Sequence, residues 1–302
     1  MKTGSVYINN VDIYASFGAY VTMGGYDSLV SYPPLKGVTY SDYVEKDGVD
    51  PDLEDIALDS KDVSMTFAVS GEHGRVVAFY EHLSSSPELE CTFTEIGYSC
   101  TLRVRSMSSL TLAERLGRCT VTFTDDHPLE GYEYAAPSSN LPADASYQLD
   151  GRRLTDYGVR ITKGTHDSLL QPAGTKELLV RSTSVKHGGT YDENPFDVYA
   201  GGKWSHSSTA HGAVKHRNRD VRLKCLLTAP SASAAMRNYN ALLFDLVRKN
   251  DTADPTRRGM RTLTTPDGSI DCYYRSQSVS AFYVDEDRVW IQFELTLTTI
   301  GK

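Results

Sequence analysis

Residues able to do chemistry occur in this chain of 302 residues, but not at the spacings that chemistry uses. His206, His211 and His216 follow one another at intervals of five. A zinc-binding helix needs histidines three or four apart so that both imidazoles share a face, so these read as polar loop histidines. His187 beside Gly188-Gly189 adds little to a metal site. Asp126 and His127 are adjacent and serines are abundant, yet there is no G-x-S-x-G elbow and no Cys-His arrangement to recommend a hydrolase. Lys163-Gly164-Thr165 superficially suggests a phosphate loop, but the glycine-rich turn that should precede it is missing, and Gly164 reads as a turn glycine. Asp27-Ser28 and Asp167-Ser168 recur before an aliphatic pair, as a strand-end or Asx-turn device would. The five cysteines, Cys91, Cys100, Cys119, Cys225 and Cys272, are odd in number with no CxxC spacing, which points to buried thiols rather than a disulfide framework or a zinc knuckle. Neither catalysis nor a cofactor or metal is expected.

The elements that could position such residues follow from length and composition. The chain is long enough for two domains, each with its own core. At 40% hydrophobic and 23% charged it reads as globular, with Tyr favoured over Phe and Trp. No apolar run approaches the roughly 20 residues needed to span a bilayer, so no membrane insertion is expected. Met1-Lys2-Thr3-Gly4 leads into a strand-like segment rather than a signal peptide, which suggests a protein made and kept in a cytoplasm. A net charge of −8 argues against general nucleic-acid binding, although an acidic protein can surround DNA without gripping it.

Comparing the chain with itself is the most informative step. The run from Phe17-Gly18 to Leu29-Val30 lines up without gaps against Tyr157-Gly158 to Leu169-Leu170. Upstream, Ile8-Asn9-Asn10 matches Leu149-Asp150-Gly151, and Ile13 matches Leu154, so both copies open on a strand and a tight turn. Downstream, Asp62 to Val69 parallels Asp220 to Leu227, a strand entering a core. A helix follows in each copy. Its apolar face is Met236, Tyr239, Leu242, Leu243, Leu246 and Val247 after the start signal Pro230-Ser231, and Val76, Val77, Phe79, Tyr80 and Leu83 in the shorter first version. The closing hairpins align Cys100 to Arg103 with Cys272 to Arg275, and Arg118 to Phe123 with Arg288 to Phe293. Arg103 and Arg275 thereby recur, as strand-face charges or interface pairs. The expected organisation is a first domain over residues 1–124, a Pro/Ser-rich linker over 125–146 and a second domain over 147–302. Each unit reads strand, turn, strand, long insertion, strand, helix, strand, hairpin: a mainly β, α+β architecture of two tandem sandwich or half-barrel domains, each with one packed helix and a long inserted loop.

This order of elements resembles the tube-like domain of bacteriophage tails, shared by tail-tube proteins, distal tail proteins and tandem-domain baseplate hub proteins. The opening Tyr7-Ile8-Asn9-Asn10, the Asp62 to Val69 strand, the helix near Val76 to Leu83, and the Cys119 to Phe123 strand running into Asp125-Asp126-His127-Pro128 carry the resemblance. Two such units in one chain look more like a hub than a distal tail protein, whose second module is expected to differ. The resemblance implies a homo-trimeric or homo-hexameric ring in a virion tail, assembled in the bacterial host cytoplasm. Its partners would be the neighbouring tube, hub or baseplate proteins, and DNA would pass through the channel without specific binding. Exposed edge strands would join the subunits. A carbohydrate- or surface-binding sandwich, using abundant Tyr and Trp204, is the alternative; an enzyme built from dispersed loop residues is a third reading.

The two insertions carry opposed charge. The first, Tyr32 to Asp59, holds Asp42, Glu45, Asp47, Asp50, Asp52, Glu54, Asp55 and Asp59 against Lys36 and Lys46. The second, Gln171 to Asn218, with Arg219 just beyond it, brings Lys176, Arg181, Lys186, Lys203, Lys215, Arg217 and Arg219 against Glu177, Asp192, Glu193 and Asp197. They read either as solvated surface loops or as an acidic loop meeting a basic loop across a subunit boundary.

Overall fold

The structure is a computed structural model. It describes residues 3–22, 24–41, 50–71, 73–113, 116–162, 186–187, 190–191, 199–200, 203–204, 218, 220–266, 268–285 and 288–300.

The first half runs β1 (Val6–Ile8), β2 (Val11–Asp12), α1 (Ile13–Phe17), β3 (Ala19–Val21), α2 (Asp27–Val30), the small hairpin β4 (Tyr40–Ser41) and β5 (Asp50–Pro51), β6 (Lys61–Ser70), α3 (His73–Leu83), β7 (Leu89–Phe93), β8 (Tyr98–Ala113) and β9 (Leu116–Asp125). The second half runs β10 (Gln148–Leu149), β11 (Arg152–Arg153), a 3-10 turn (Leu154–Tyr157) and β12 (Val159–Ile161). Two short hairpins follow, β13 (Lys186–His187) with β14 (Thr190–Tyr191) and β15 (Tyr199–Ala200) with β16 (Lys203–Trp204). It continues with β17 (Asp220–Ala229), α4 (Ala232–Val247), a 3-10 turn (Pro255–Arg257), β18 (Arg261–Thr265), β19 (Gly268–Val284) and β20 (Val289–Thr299). The protein is thus mainly β, built on two half-barrel sheets of seven strands with few helices.

The two sheets have the same strand order, β2-β1-β7-β8-β9-β6-β3 and β11-β10-β18-β19-β20-β17-β12. The likeness extends to single bonds. Asn9-Asn10 and Asp150-Gly151 each form a two-residue turn with positive φ, the form whose twist suits paired strands. The Asn9 side chain accepts from Glu90 N at 2.9 Å, and the Asp150 side chain accepts from Thr262 N at 2.8 Å. Gly18 and Gly158 both end a helical turn with φ near +70° (66° and 74°), and a Cβ there would lie 2.4 Å from Ser70 O and 2.7 Å from Thr228 O. Thr22 and Thr162 each bind a carbonyl of the neighbouring strand through both N–H and hydroxyl.

Strand register corrects the alignment of the closing hairpins. Asp62 stands opposite Thr124 and Asp220 opposite Thr298, so Phe123 matches Leu297 rather than Phe293. Strands alternate with period two, so a shift by an even number of residues keeps every apolar side chain on the core face and leaves the pattern looking right. By the same register Arg275 corresponds to Arg105, not Arg103. Each occupies a bulge, bonds the facing aspartate (Asp220 or Asp62), and that aspartate also accepts from Thr298 or Thr124. Arg103 instead pairs with Asp126 at 2.7 Å.

Two local expectations also change. Asp27 begins a helical turn rather than ending a strand: Ser31 N reaches back to Asp27 O, while the Ser28 hydroxyl donates to Asp62 O and accepts from Ser64 N. Asp167-Ser168 lies outside the described residues. Val77 is exposed, because α3 buries only the Val76, Phe79 and Leu83 side; on α4 all the expected apolar residues are buried except half-buried Val247. Ser231 caps α4 by accepting from Ala234 N at 3.2 Å.

Candidate functional site

The buried apolar side chains form one cluster that continues from the first sheet into the second, and the seam between them is the built site of this molecule. It arises from an imbalance in length. β18 pairs with β19 only as far as Cys272, and beyond that point β19 pairs only with β20. Its free margin would expose backbone donors and acceptors, the usual liability of an edge. Residues 31–35 of the first half lie antiparallel along that margin. Val279 N donates to Ser31 Oγ at 3.3 Å, Tyr32 N donates to Gln277 Oε1 at 2.7 Å, and Leu35 N donates to Arg275 O at 3.0 Å. Pro33 and Pro34 hold this stretch extended and have no N–H to lose; the donors on either side of them are both used. The carbonyl that Leu35 meets belongs to the bulged Arg275, which the bulge has turned out of the ladder.

Tyr32 is the anchor. Only 4% exposed, it passes out of the first half and seats among Tyr239 (ring centroids 4.2 Å apart), Phe293 (6.4 Å) and Tyr274 (6.5 Å) of the second. Its hydroxyl donates to Tyr239 O, the Tyr239 hydroxyl accepts from Gln277 Nε2, and the Tyr274 hydroxyl donates to Pro33 O at 2.6 Å. Each buried phenol therefore keeps a partner, which makes the burial tolerable. Burial drives the Tyr32 and Tyr239 hydroxyls well above their ordinary range, with the neighbouring phenols adding to it.

Behind the anchor, Lys61 holds the turn that presents it. Its buried ammonium donates to Leu29 O and Ser31 O, both at 2.7 Å, taking up carbonyls at the end of α2. Burial lowers the Lys61 ammonium to about 8, opposed by the charge of Asp125; burial raises the Asp125 carboxyl, opposed by Lys61. These two residues line a polar cleft of about 600 Å³ with Tyr98, Cys100, Tyr132 and Asn240. The lysine is committed to backbone carbonyls, and burial pushes the Cys100 thiol far up, which denies it the thiolate a nucleophile needs. Among the described residues no three His, Cys, Asp or Glu side chains converge as a metal site would require, and no described helix is long and apolar enough to cross a membrane.

The acidic insertion lies on the second half of the same chain. Leu53 is fully buried and exchanges backbone bonds with Thr256 and Gly259, Asp55 bonds Lys249, and Glu54 lies 3.8 Å from Arg258. The hydrogen bond from Lys249 holds the exposed Asp55 carboxyl below the usual carboxylate range. Asp50 sits in β5, and Asp52 accepts from Glu54 N at 3.1 Å. Asp42, Glu45, Asp47, Lys215, Arg217 and Arg219, and the histidines 206, 211 and 216, lie outside the described residues; Lys203 is placed only by its strand, β16. The stretch between β9 and β10 is also bound down: the Asn238 side chain makes a two-bond clasp with the backbone of Ser138 (2.9 and 2.8 Å), and the Tyr134 hydroxyl meets Asp245 at 3.2 Å. Lys249, Arg258, Gln277 and Tyr239 were not singled out as seam residues by sequence; the available signal was Tyr32-Pro33-Pro34, an aromatic placed before an enforced extended stretch.

No protein-family model matches the chain, and no curated protein matches it. Among solved structures, the crystal structure of SPP1 Dit (gp 19.1), described as a paradigm of hub adsorption apparatus in phages infecting Gram-positive hosts, aligns over 97% of each chain at 9% identity and a TM-score of 0.33. A likeness that distant assigns no role to any residue.

Proposed function

We propose that this chain is a ring-forming structural component of a phage or prophage tail, placed at the tail tip or baseplate as a distal tail or hub adaptor around the DNA channel. It would act by assembly rather than turnover. The observation that carries the reading is the seam, which joins unlike surfaces: the segment after β3 of one sheet and the margin of the long strand of the other. Contacts of that head-to-tail kind, when repeated, close into rings or run on as filaments. The matched strand order supports dividing the chain into two copies of one unit, residues 1–124 and 147–302, joined by 125–146. Three chains would then offer six units, and six chains twelve. The order of elements that resembles the tail-tube-like domain supports the tail assignment, with neighbouring tube, hub or baseplate proteins as partners and a virion tail, assembled in the host cytoplasm, as the location. A net charge of −8 suits a channel that DNA traverses without adhering.

Native mass spectrometry with electron microscopy of the purified chain tests this. Three or six copies around a pore are expected. A monomer at all concentrations that bound glycans would transfer the chain to the surface-binding alternative.

A further inference from the structure

The seam joins stretches far apart in the chain. The Tyr26 ring meets Phe282 edge-on at 6.5 Å, the Asp27 carboxylate accepts from the Phe282 backbone, residues 31–35 line β19, and Leu53 and Asp55 reach Thr256, Gly259 and Lys249. One side of these contacts comes from before Asp125 and the other from after Tyr132, so the seam would be the same whichever chain supplied each side. The connection between the two sides is short and strained. β9 ends at Asp125, whose carboxylate accepts from His127 N at 3.3 Å. From Tyr132 onward the chain is fastened to the second half, with Tyr132 and Tyr134 packed on the Phe244 ring of α4 at 5.8 and 5.1 Å and the Ser138 clasp beyond them. Residues 127–131 make the reversal in two successive tight turns, Glu130 N to His127 O at 3.0 Å and Tyr132 N to Leu129 O at 3.1 Å. Inside them Leu129, next to Pro128, is held at a φ of 65°, a left-handed backbone that a branched side chain tolerates poorly. Short connections under strain favour exchange of the parts they join.

We infer that the seam is exchanged between copies of this chain: residues 127–131 open, and residues 26–55 of one copy seat on β19 and the end of α4 of the next. Straightened, five residues span up to ~17 Å, which carries the two sides apart. Each chain then gives one side of a seam and receives the other, a head-to-tail joint that closes into a ring when repeated. No seam contact is lost. The exchange gives up the closeness that a short connection provides and recovers the strain at Leu129, so it grows with concentration. This inference rests on the ring-forming reading and specifies which surfaces join.

Isotope mixing on the full chain decides it. Heavy-nitrogen and ordinary protein are unfolded and refolded together in equal amounts, concentrated until assembled, and treated with a carbodiimide. The reagent couples the Asp55 carboxyl to the Lys249 amine as an amide, with loss of one water, across the ion pair that the seam already holds. Mass spectrometry of the linked peptide reads whether its two arms carry the same label. Exchange predicts mixed peptides as abundant as uniform ones, whereas a seam closed within each chain gives uniform peptides alone. Leu129→Gly removes the strain of the closed connection, and is expected to keep the fold while raising the concentration for half-assembly about fivefold. Assemblies whose linked peptides are all uniform, or a folded Leu129→Gly protein that assembles as wild type does, overturn the exchange and leave the ring-forming reading standing. A wild-type chain that stays monomeric at every concentration removes both.

Discussion

The long strands β8 and β19 differ less in what they are than in what lies beside them. Each leaves its short neighbour after five paired residues, bulges twice and carries an arginine that reaches across the adjacent strand to an aspartate on the next one. Yet residues 31–35 bond the margin of β19, whereas among the described residues none outside the sheet bonds that of β8. The β19 sheet alone does not complete its own edge; the segment after β3, from the other sheet, does. That contact also explains why the anchor is a large aromatic. Tyr32 seats in the core of the other sheet, and a buried phenol with a hydrogen-bonded tip offers much apolar area with little conformational freedom to lose.

Removing that anchor is the strongest way to break the comparison. Tyr32→Ala should destabilise the protein by about 4 kcal/mol, in the range for truncating a buried aromatic. The damage should appear in the second half although the substitution lies in the first. Denaturant unfolding gives the magnitude, and hydrogen exchange over 273–284 should rise until β19 resembles β8. Loss confined to the first sheet would mean that Tyr32 serves its own sheet and the seam is incidental.

Alkaline titration separates the halves next. Burial raises all five cysteines from their ordinary 9.0, Cys91 and Cys272 to about 12. Above pH 9 the unfolded chain releases thiol protons that the folded chain retains, so stability falls as the pH rises. Lys61 works against this: lowered to about 8, it loses its proton in the fold while the unfolded lysine keeps it to 10.5, so between those values it adds stability. Five thiols outweigh one lysine, and a net loss of stability between pH 9 and 10 is expected. Cys91, Cys100 and Cys119 lie in the first sheet, so it should loosen first; above pH 10 the raised phenols Tyr32, Tyr239 and Tyr274 transfer the loss to the seam. Urea midpoints against pH, read by exchange in each half, check the order.

A third test sharpens the match itself. Phe67 stands opposite Cys119 in the first sheet and Cys225 opposite Phe293 at the same register in the second, so the two sheets share one large and one small residue with the strands exchanged. Phe67→Cys alone leaves a cavity and Cys119→Phe alone overfills the site, each costing about 2 to 3 kcal/mol. The double exchange should recover to within about 1 kcal/mol of wild type. Additive losses would show that the two cores are not packed alike.

That exchanged pair also explains what the sequence could convey. The opening turns were legible because Asn9-Asn10 and Asp150-Gly151 are chosen for a backbone that few residues tolerate, and Gly18 and Gly158 for the close approach of a carbonyl. The closing strands were misaligned because period-two patterns survive an even shift, and the phenylalanine that seemed to match, Phe123 with Phe293, belongs to different layers. The helical turns at Ile13 and Asp27 were missed because four or five residues cannot display a helical period. The acidic insertion was legible as charge, but its cations Lys249 and Arg258 come from the chain after the end of α4 and carry no local sign that they face it.

Those cations supply the smallest expected effect. Asp55 and Lys249 are both exposed, and Glu54 and Arg258 meet at 3.8 Å, so water and salt screen each pair. Asp55→Lys should leave the urea midpoint within about 0.5 kcal/mol of wild type, because Leu53 and Tyr32 keep the insertion seated by burial. Adding Lys249→Glu restores the opposite charges and should return even that small difference, with both effects fading at high salt. If Asp55→Lys instead opened the seam as Tyr32→Ala does, charge rather than the buried anchor would be holding the insertion.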